Sequence, residues 1–227
     1  MEPITIIQTI KESLTLKMVR KVLLIIGILS SLFYVGIDIL AAMQWEGYSY
    51  TSQAFSELLA GGAPTRSFVL SLSTIYNVLV IAFGLCIWAT DSRKRALRFT
   101  GILLIGYAIV GIVTPLFFPA PMRGAEATIC NIMHLPFTGL EVLCILLSVG
   151  FGAAAHGKWF RLYSIGTILI LILSGALAGS AVPQISAQQS TPFLGIIERI
   201  MIYGYLLWVM VLAIIHLRAE NGQGSIE

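Results

Sequence analysis

The sequence predicts an all-α membrane protein, a six-transmembrane-helix bundle, and three observations carry that prediction. Hydrophobic residues make up 57% of the 227-residue chain and charged residues only 11%, with a mean hydropathy of +0.90. A soluble domain carries roughly a quarter charged residues. The apolar runs are continuous for about 20 residues instead of alternating, which is the pattern of spanning helices and not of barrel strands. The basic residues, finally, gather between alternate runs, as the connections on one side of a membrane do.

Taken in order, residues 1–20 are mixed and mildly amphipathic. Ile4, Ile7, Ile10 or Lys11, Leu14 and Met18 recur at helical spacing, which predicts a short helix on the inner membrane surface. The stretch does not read as a signal peptide, because the apolar run behind it is too long and ends in no small-residue cleavage site. A single transmembrane domain follows over residues 21–217. Its spans are expected at about 21–43, 66–90, 98–118, 132–155, 162–182 and 193–217. Residues 218–227 form a tail.

Orientation follows from the Lys/Arg asymmetry. Lys11, Lys17, Arg20, Lys21, Arg93, Lys94, Arg95, Arg98, Lys158, Arg161 and Arg218 fall on one side, and Arg66, Arg123 and Arg199 on the other. Both termini are therefore expected in the cytoplasm, with the protein multi-pass in the inner or plasma membrane. The net charge of +3 is a by-product of this topology and gives no reason to expect nucleic acid; the expected partners are membrane lipids. Three cysteines at mismatched depths, Cys86, Cys130 and Cys144, read as reduced packing residues and not as a disulfide set. No Cys/His cluster has zinc spacing, and no cofactor is expected, although the in-span carboxylates are compatible with a bound cation or lipid.

The three outer connections are longer than the inner ones, and the first is the longest polar interruption of the chain: GYSYTSQAFSELLAGGAPTR, residues 47–66. Tyr48, Ser52, Phe55 and Leu59 fall near helical spacing, which predicts a short interfacial helix with Trp45, Tyr48 and Tyr50 as belt residues. Gly61-Gly62 would end it, and Pro64-Thr65 would start the second span. The loop reads as a cover over an outward-facing polar pocket.

Ionisable residues inside spans point to that pocket, because each costs roughly 2.5–3.5 kcal/mol at mid-bilayer. Asp38 lies near the outer end of the first span and His134 at the outer mouth of the fourth. Glu141 is about 10 Å deeper, and Glu198 and Arg199 are about 8 Å below the outer surface on the sixth. Glu198 and Arg199 point roughly 100° apart, so neither is the other's main partner. Arg199 is expected to reach Glu141 or Glu57, with Asp38 and Arg66 at the rim. Three in-span carboxylates against one in-span arginine leave excess negative charge, which asks for a proton on one of them, a cationic ligand group or a metal ion. Glu57, His134 and Glu141 are the candidate acid/base groups. Arg199, Glu198, Arg66 and Asp38 are the candidate ligand contacts.

Weaker patterns complete the reading. Gly175 and Gly179 form a GxxxG spacing that predicts close helix packing. Pro136-Phe137-Thr138-Gly139-Leu140-Glu141 is echoed by Pro192-Phe193-Leu194-Gly195-Ile196-Ile197-Glu198, each opening a span from the outside. No nucleophile elbow, phosphate loop or HExxH appears.

Six spans, a first outer loop with Ser56-Glu57-Leu58 followed by Gly-Ala-Pro-Thr-Arg, His134 opening the fourth span and Glu198-Arg199 in the sixth resemble the bacterial and archaeal membrane family catalogued as domain of unknown function 998. The resemblance covers nearly the whole chain and implies its fold and topology, with no established activity. Three functions are compatible with the residues: binding or modification of a lipid or amphiphile entered from the outer leaflet, proton- or cation-coupled transport, and a non-catalytic assembly role in which the charges lock helices together.

Overall fold

The computed structural model describes residues 3–90, 94–126 and 128–223, with the side chains of residues 3–14, 131 and 223 outside that description. Every regular element among the described residues is helical: α1 (Pro3–Gln44), a short 3-10 helix (Phe55–Leu59), α2 (Arg66–Thr90), α3 (Arg95–Phe117), α4 (Ile129–Ala155), α5 (Lys158–Ser180), α6 (Val182–Ser186) and α7 (Leu194–Gln223). Six stretches are long and apolar enough to cross a membrane: Thr15–Gln44, Arg66–Thr90, Arg95–Phe117, Ile132–Ala155, Lys158–Ser186 and Leu194–Gly222. This is a multi-pass membrane protein.

The spans differ from the sequence reading mainly at their ends. α1 runs unbroken through residue 20, so residues 3–20 continue the first span's helix. The apolar face expected on Ile4, Ile7, Ile10 and Leu14 lies outside the described residues, as does Arg93. α7 runs on past residue 217 to Gln223, and residues 224–227 of the expected tail are not described.

The long helices close into a ring. Each packs on its sequence neighbours, and α7 returns to pack on α1. Polarity is arranged for a hydrocarbon solvent. Leu29, Leu32, Ile75, Ile102, Ile109, Leu169 and Leu173 point outward, whereas Ser30, Ser73, Asn77, Thr100, Thr114, Ser148, Ser164 and Thr167 are buried. Several of the buried hydroxyls donate to a carbonyl one turn back on their own helix, as in Thr100 to Ala96, Thr114 to Val110 and Thr167 to Tyr163. These hydroxyls are thus satisfied without help from water. Hydrophobic burial cannot drive helix association where the solvent is itself apolar, so close packing must do it. The close approaches fall at Gly84 against Gly101 between α2 and α3, at Gly27 under the Phe83 ring, and at Gly152 under Trp208. They do not fall at the GxxxG pair, because a Cβ on Gly179 would meet nothing within 4 Å.

At the end of the ring that carries the basic connections, Arg20 pairs with Glu220 at 2.9 Å, and His156 Nε2 lies 3.2 Å from His216 Nε2. His156 Nδ1 is 2.8 Å from the Gly152 carbonyl and therefore donates to it. Its Nε2 is then the acceptor for His216, and a second proton on the pair would leave two donors face to face. Burial, with Lys94 nearby, holds the His156 imidazole below its ordinary value. A depressed folded-state value means that the unfolded chain binds the proton more readily, so this contribution to stability is complete above about pH 6.5 and is lost as the pH falls below it. Thermal unfolding in detergent is expected to show a lower midpoint at pH 5.5 than at pH 7.5, and His156→Gln is expected to flatten that difference.

Candidate functional site

The opposite end of the ring carries the long connections, and the one between α1 and α2 is folded down into the bundle. Gly47 (φ +81°) and Gly62 (φ +101°) supply the left-handed turns at its two ends. Between them the 3-10 helix Phe55–Leu59 buries Phe55, Glu57 and Leu58. The expected interfacial helix is thus five residues long and sits inside the protein, because a buried carboxylate and two apolar side chains on it are all met by partners. Tyr48, expected in the aromatic belt, turns inward for the same reason, whereas Tyr50 stays 36% exposed with its hydroxyl on Asp38.

Three polar anchors hold this lid. The first is Arg199 on α7, whose side chain is 4% exposed. Its Nε and Nη2 donate to the two oxygens of Asp38 on α1 at 2.9 and 2.7 Å, a bidentate pair. Nη1 lies 3.0 Å from the Tyr50 carbonyl, 3.1 Å from that of Gln53 and 3.2 Å from that of Gly195. Nη2 also donates to the Tyr48 hydroxyl at 2.9 Å. The guanidinium carbon sits 3.5 Å from the centroid of the Tyr50 ring. Asp38 in turn accepts from the Tyr50 and Tyr203 hydroxyls at 2.9 and 2.5 Å. Arg199 therefore meets Asp38 and not Glu141 or Glu57 as expected. Closure of the ring brings α7 beside α1, which sets the arginine directly opposite the C-terminal end of the first span.

The second anchor is one the sequence reading missed. Arg123, in the α3–α4 connection, donates from Nε and Nη2 to the two Glu57 oxygens, both at 2.8 Å. Its Nη2 also reaches the Ser52 carbonyl and the Thr191 hydroxyl, each at 2.9 Å. One side chain thus ties all three connections together. The Ala54 amide donates to Glu57 Oε1 at 2.9 Å. The hydrogen bond to Glu57 raises the value of the Arg123 guanidinium. Burial raises that of the Tyr48 phenol, which stays neutral and donates to the Ala54 carbonyl at 2.8 Å. The signal for Arg123 was present in the charge count, since an arginine on a face almost free of basic residues calls for an acid nearby.

The third anchor is Glu198 on α7, whose Oε2 accepts the Phe55 amide at the start of the 3-10 helix. Arg66 and His134 have other work. Arg66 donates to the Leu59 and Pro115 carbonyls at 2.5 and 2.8 Å. His134 Nδ1 bonds the Phe118 carbonyl at 2.8 Å. Both satisfy carbonyls at the end of α3, which Pro115 helps to stop.

Beneath the lid lies a cavity of about 140 Å³. Phe55, Ser56 and Leu59 form its roof, and α1, α2, α3, α4 and α7 supply its walls. Glu141 and Glu198 both face it, as does His134, whereas Asp38, Glu57, Arg66 and Arg199 do not line it. The two glutamates of the sequence echo are therefore brought into one space. Four tyrosines share that space. Tyr34 meets Tyr76 edge-on at 4.7 Å, Tyr107 meets Tyr205 edge-on at 5.2 Å, and the hydroxyls of Tyr76 and Tyr107 are 3.3 Å apart. Asn77, 4% exposed, donates to the Ser73 carbonyl at 2.9 Å, but its Oδ1 is buried with no hydrogen-bond partner. Among the described residues neither glutamate has a cationic partner within ion-pair distance, and no group of three or more His, Cys, Asp or Glu is placed to hold a metal ion.

The family model described as "Protein of unknown function (DUF998)" matches residues 28–215, the stretch that contains the lid, the cavity and all three anchors. No curated protein and no solved structure matches the chain.

Proposed function

We propose, from the premise that this chain belongs to the DUF998 family, that it is a membrane-embedded binding protein for the polar end of an amphiphile. The observation that carries this reading is the cavity itself. It holds two carboxylates with no cation beside them, under a lid fixed by two ion pairs and by the Glu198 bond to the Phe55 amide. A purely structural role predicts the reverse, with every in-span charge spent on another helix. Arg199 and Asp38 fit that structural description; Glu141 does not.

The size of the cavity sets the scale of the ligand. An engineered cavity of about 150 Å³ takes up benzene, so this one receives a small head or chain end and not a whole lipid. Toward the basic end of the bundle the described carboxylate is Glu220, which Arg20 holds. Among the described residues no other carboxylate lies in the spans between it and the cavity, which weighs against proton-coupled transport through the ring. With the long connections on the outer face, the ligand comes from the outer leaflet or the space beyond it. Native mass spectrometry of the protein released from detergent is expected to show a bound amphiphile in the wild type. Glu141→Gln combined with Glu198→Gln is expected to remove the adduct while the unfolding midpoint stays close to wild type. Retention of the same adduct by the double variant, or a bare wild-type protein, would overturn the reading.

A further inference from the structure

The polar atoms of the cavity are unbalanced in a way that specifies the chemistry of what fills it. Acceptors dominate. Glu198 spends Oε2 on the Phe55 amide and keeps Oε1 open, and Asn77 Oδ1 has no partner. The hydroxyl beside Glu141 is that of Thr114, which Glu141 shares with the Val110 carbonyl. No cationic donor lines the cavity, and the donors left over are hydroxyls, that of Tyr205 and one of the Tyr76–Tyr107 pair. His134 Nδ1 is committed to the Phe118 carbonyl, and the Tyr76 and Tyr107 hydroxyls lie against each other. Of the tyrosine hydroxyls lining the cavity, that of Tyr205 is buried without a partner. The arginines of this end are occupied as well, Arg199 by Asp38 and Arg123 by Glu57, while Arg66 is bound to carbonyls. An anionic group entering the cavity would thus meet two carboxylates and no cation among the lining residues. A group carrying N–H donors and positive charge would meet what it lacks.

Asn77 supplies the independent observation. A buried amide oxygen left without a donor is costly, and Asn77 lines the cavity. Gly111 faces the amide across the α2–α3 contact, and a Cβ there would lie 2.9 Å from Oδ1. Tyrosine and Phe55 rings line the same cavity, and aromatic rings attract ammonium groups when water is excluded. A metal ion fits less well, since no cluster of three or more ligating side chains is present among the described residues.

We propose that the cavity binds an alkylammonium group, held between Glu141 and Glu198, with Asn77 Oδ1 accepting one of its N–H bonds. This rests on the binding function proposed for the same cavity and names the chemistry of the ligand. The ammonium group belongs either to an aminolipid headgroup or to a free small amine, and both present the same atoms.

Isothermal titration of the detergent-solubilised protein with n-butylammonium, n-butanol and butyrate at one pH tests it. Butylammonium is expected to bind in one-to-one ratio, and the other two at least about tenfold more weakly. Glu141→Gln and Glu198→Gln are each expected to weaken butylammonium by about ten- to a hundredfold, the range of a charge-assisted hydrogen bond. Asn77→Leu is the second variant, near in volume and without the acceptor, and is expected to weaken it by a smaller factor. In nanodiscs, a weaker apparent affinity in phosphatidylethanolamine than in phosphatidylglycerol supports a lipid source, and equal affinity supports a free amine. Butanol or butyrate binding as tightly as butylammonium, in a Glu141-dependent way, overturns the ammonium assignment and leaves the binding reading standing. Failure of all three compounds to bind, together with a bare wild type in the mass spectrum, overturns both.

Discussion

Arg199→Met is expected to destabilise the protein by about 3–5 kcal/mol, because it leaves Asp38 charged and unpaired in a buried place. Asp38 is 1% exposed and takes two of its four contacts from this arginine. The Tyr50 and Tyr203 hydroxyls that remain soften the loss without supplying charge. The variant also releases the lid, since the Tyr50, Gln53 and Tyr48 bonds go with the same side chain. Arg199→Lys keeps the charge but cannot reproduce a planar fork that reaches both Asp38 oxygens and the loop carbonyls at once, so it is expected to recover only part of the loss. The double variant Asp38→Leu, Arg199→Met removes both charges and is expected to be more stable than Arg199→Met alone. Denaturant unfolding in mixed detergent micelles reads all three. An Arg199→Met protein that unfolds with the wild type would show that the pair contributes little.

The behaviour of that pair also explains what was legible in the sequence. The spans follow from apolar run length and basic connections, which are properties of single segments. The identity of Arg199's partner is not, because Asp38 lies 161 positions away in the chain and meets it only once α7 closes the ring on α1. Depth counting put Glu57, Glu141 and Arg199 within reach of one another, but helix rotation decided the pairing, and no periodicity records rotation about a common centre. Arg123 could have been found by charge balance, since Glu57 needed a cation and this was an arginine on the same face. Asn77 and the four tyrosines left no such trace. They are neutral, and neutral polar residues in an apolar span look like ordinary packing until a cavity is seen beside them.

Gly195→Ala is expected to lift the lid while leaving every charge in place. Gly195 sits where α7 passes under the loop, and a Cβ there would fall on the carbonyl oxygens of Tyr50 and Gln53. Both are acceptors for Arg199 Nη1, so neither can retreat without lengthening a charged hydrogen bond. The Ile196 amide also donates to the Thr51 carbonyl at 3.2 Å, which ties the next residue to the same strip of loop. Unlike Arg199→Met, this change creates no unpaired charge, so its cost is strain at one crossing, and the loop is the element free to move. Lid position can be read by labelling a cysteine introduced by Ser56→Cys, in the roof of the cavity, with a charged thiol reagent. Cys130, the exposed native thiol, is first replaced by serine. Labelling is expected to be slow with Gly195 and at least about tenfold faster with alanine, which corresponds to about 1.4 kcal/mol in the opening equilibrium. Arg123→Ala, which cuts the Glu57 anchor on the far side of the same loop, is expected to accelerate labelling as well. Equal rates in all three proteins would mean that the loop opens without disturbing either anchor, and the connection would then be a surface loop and not a lid.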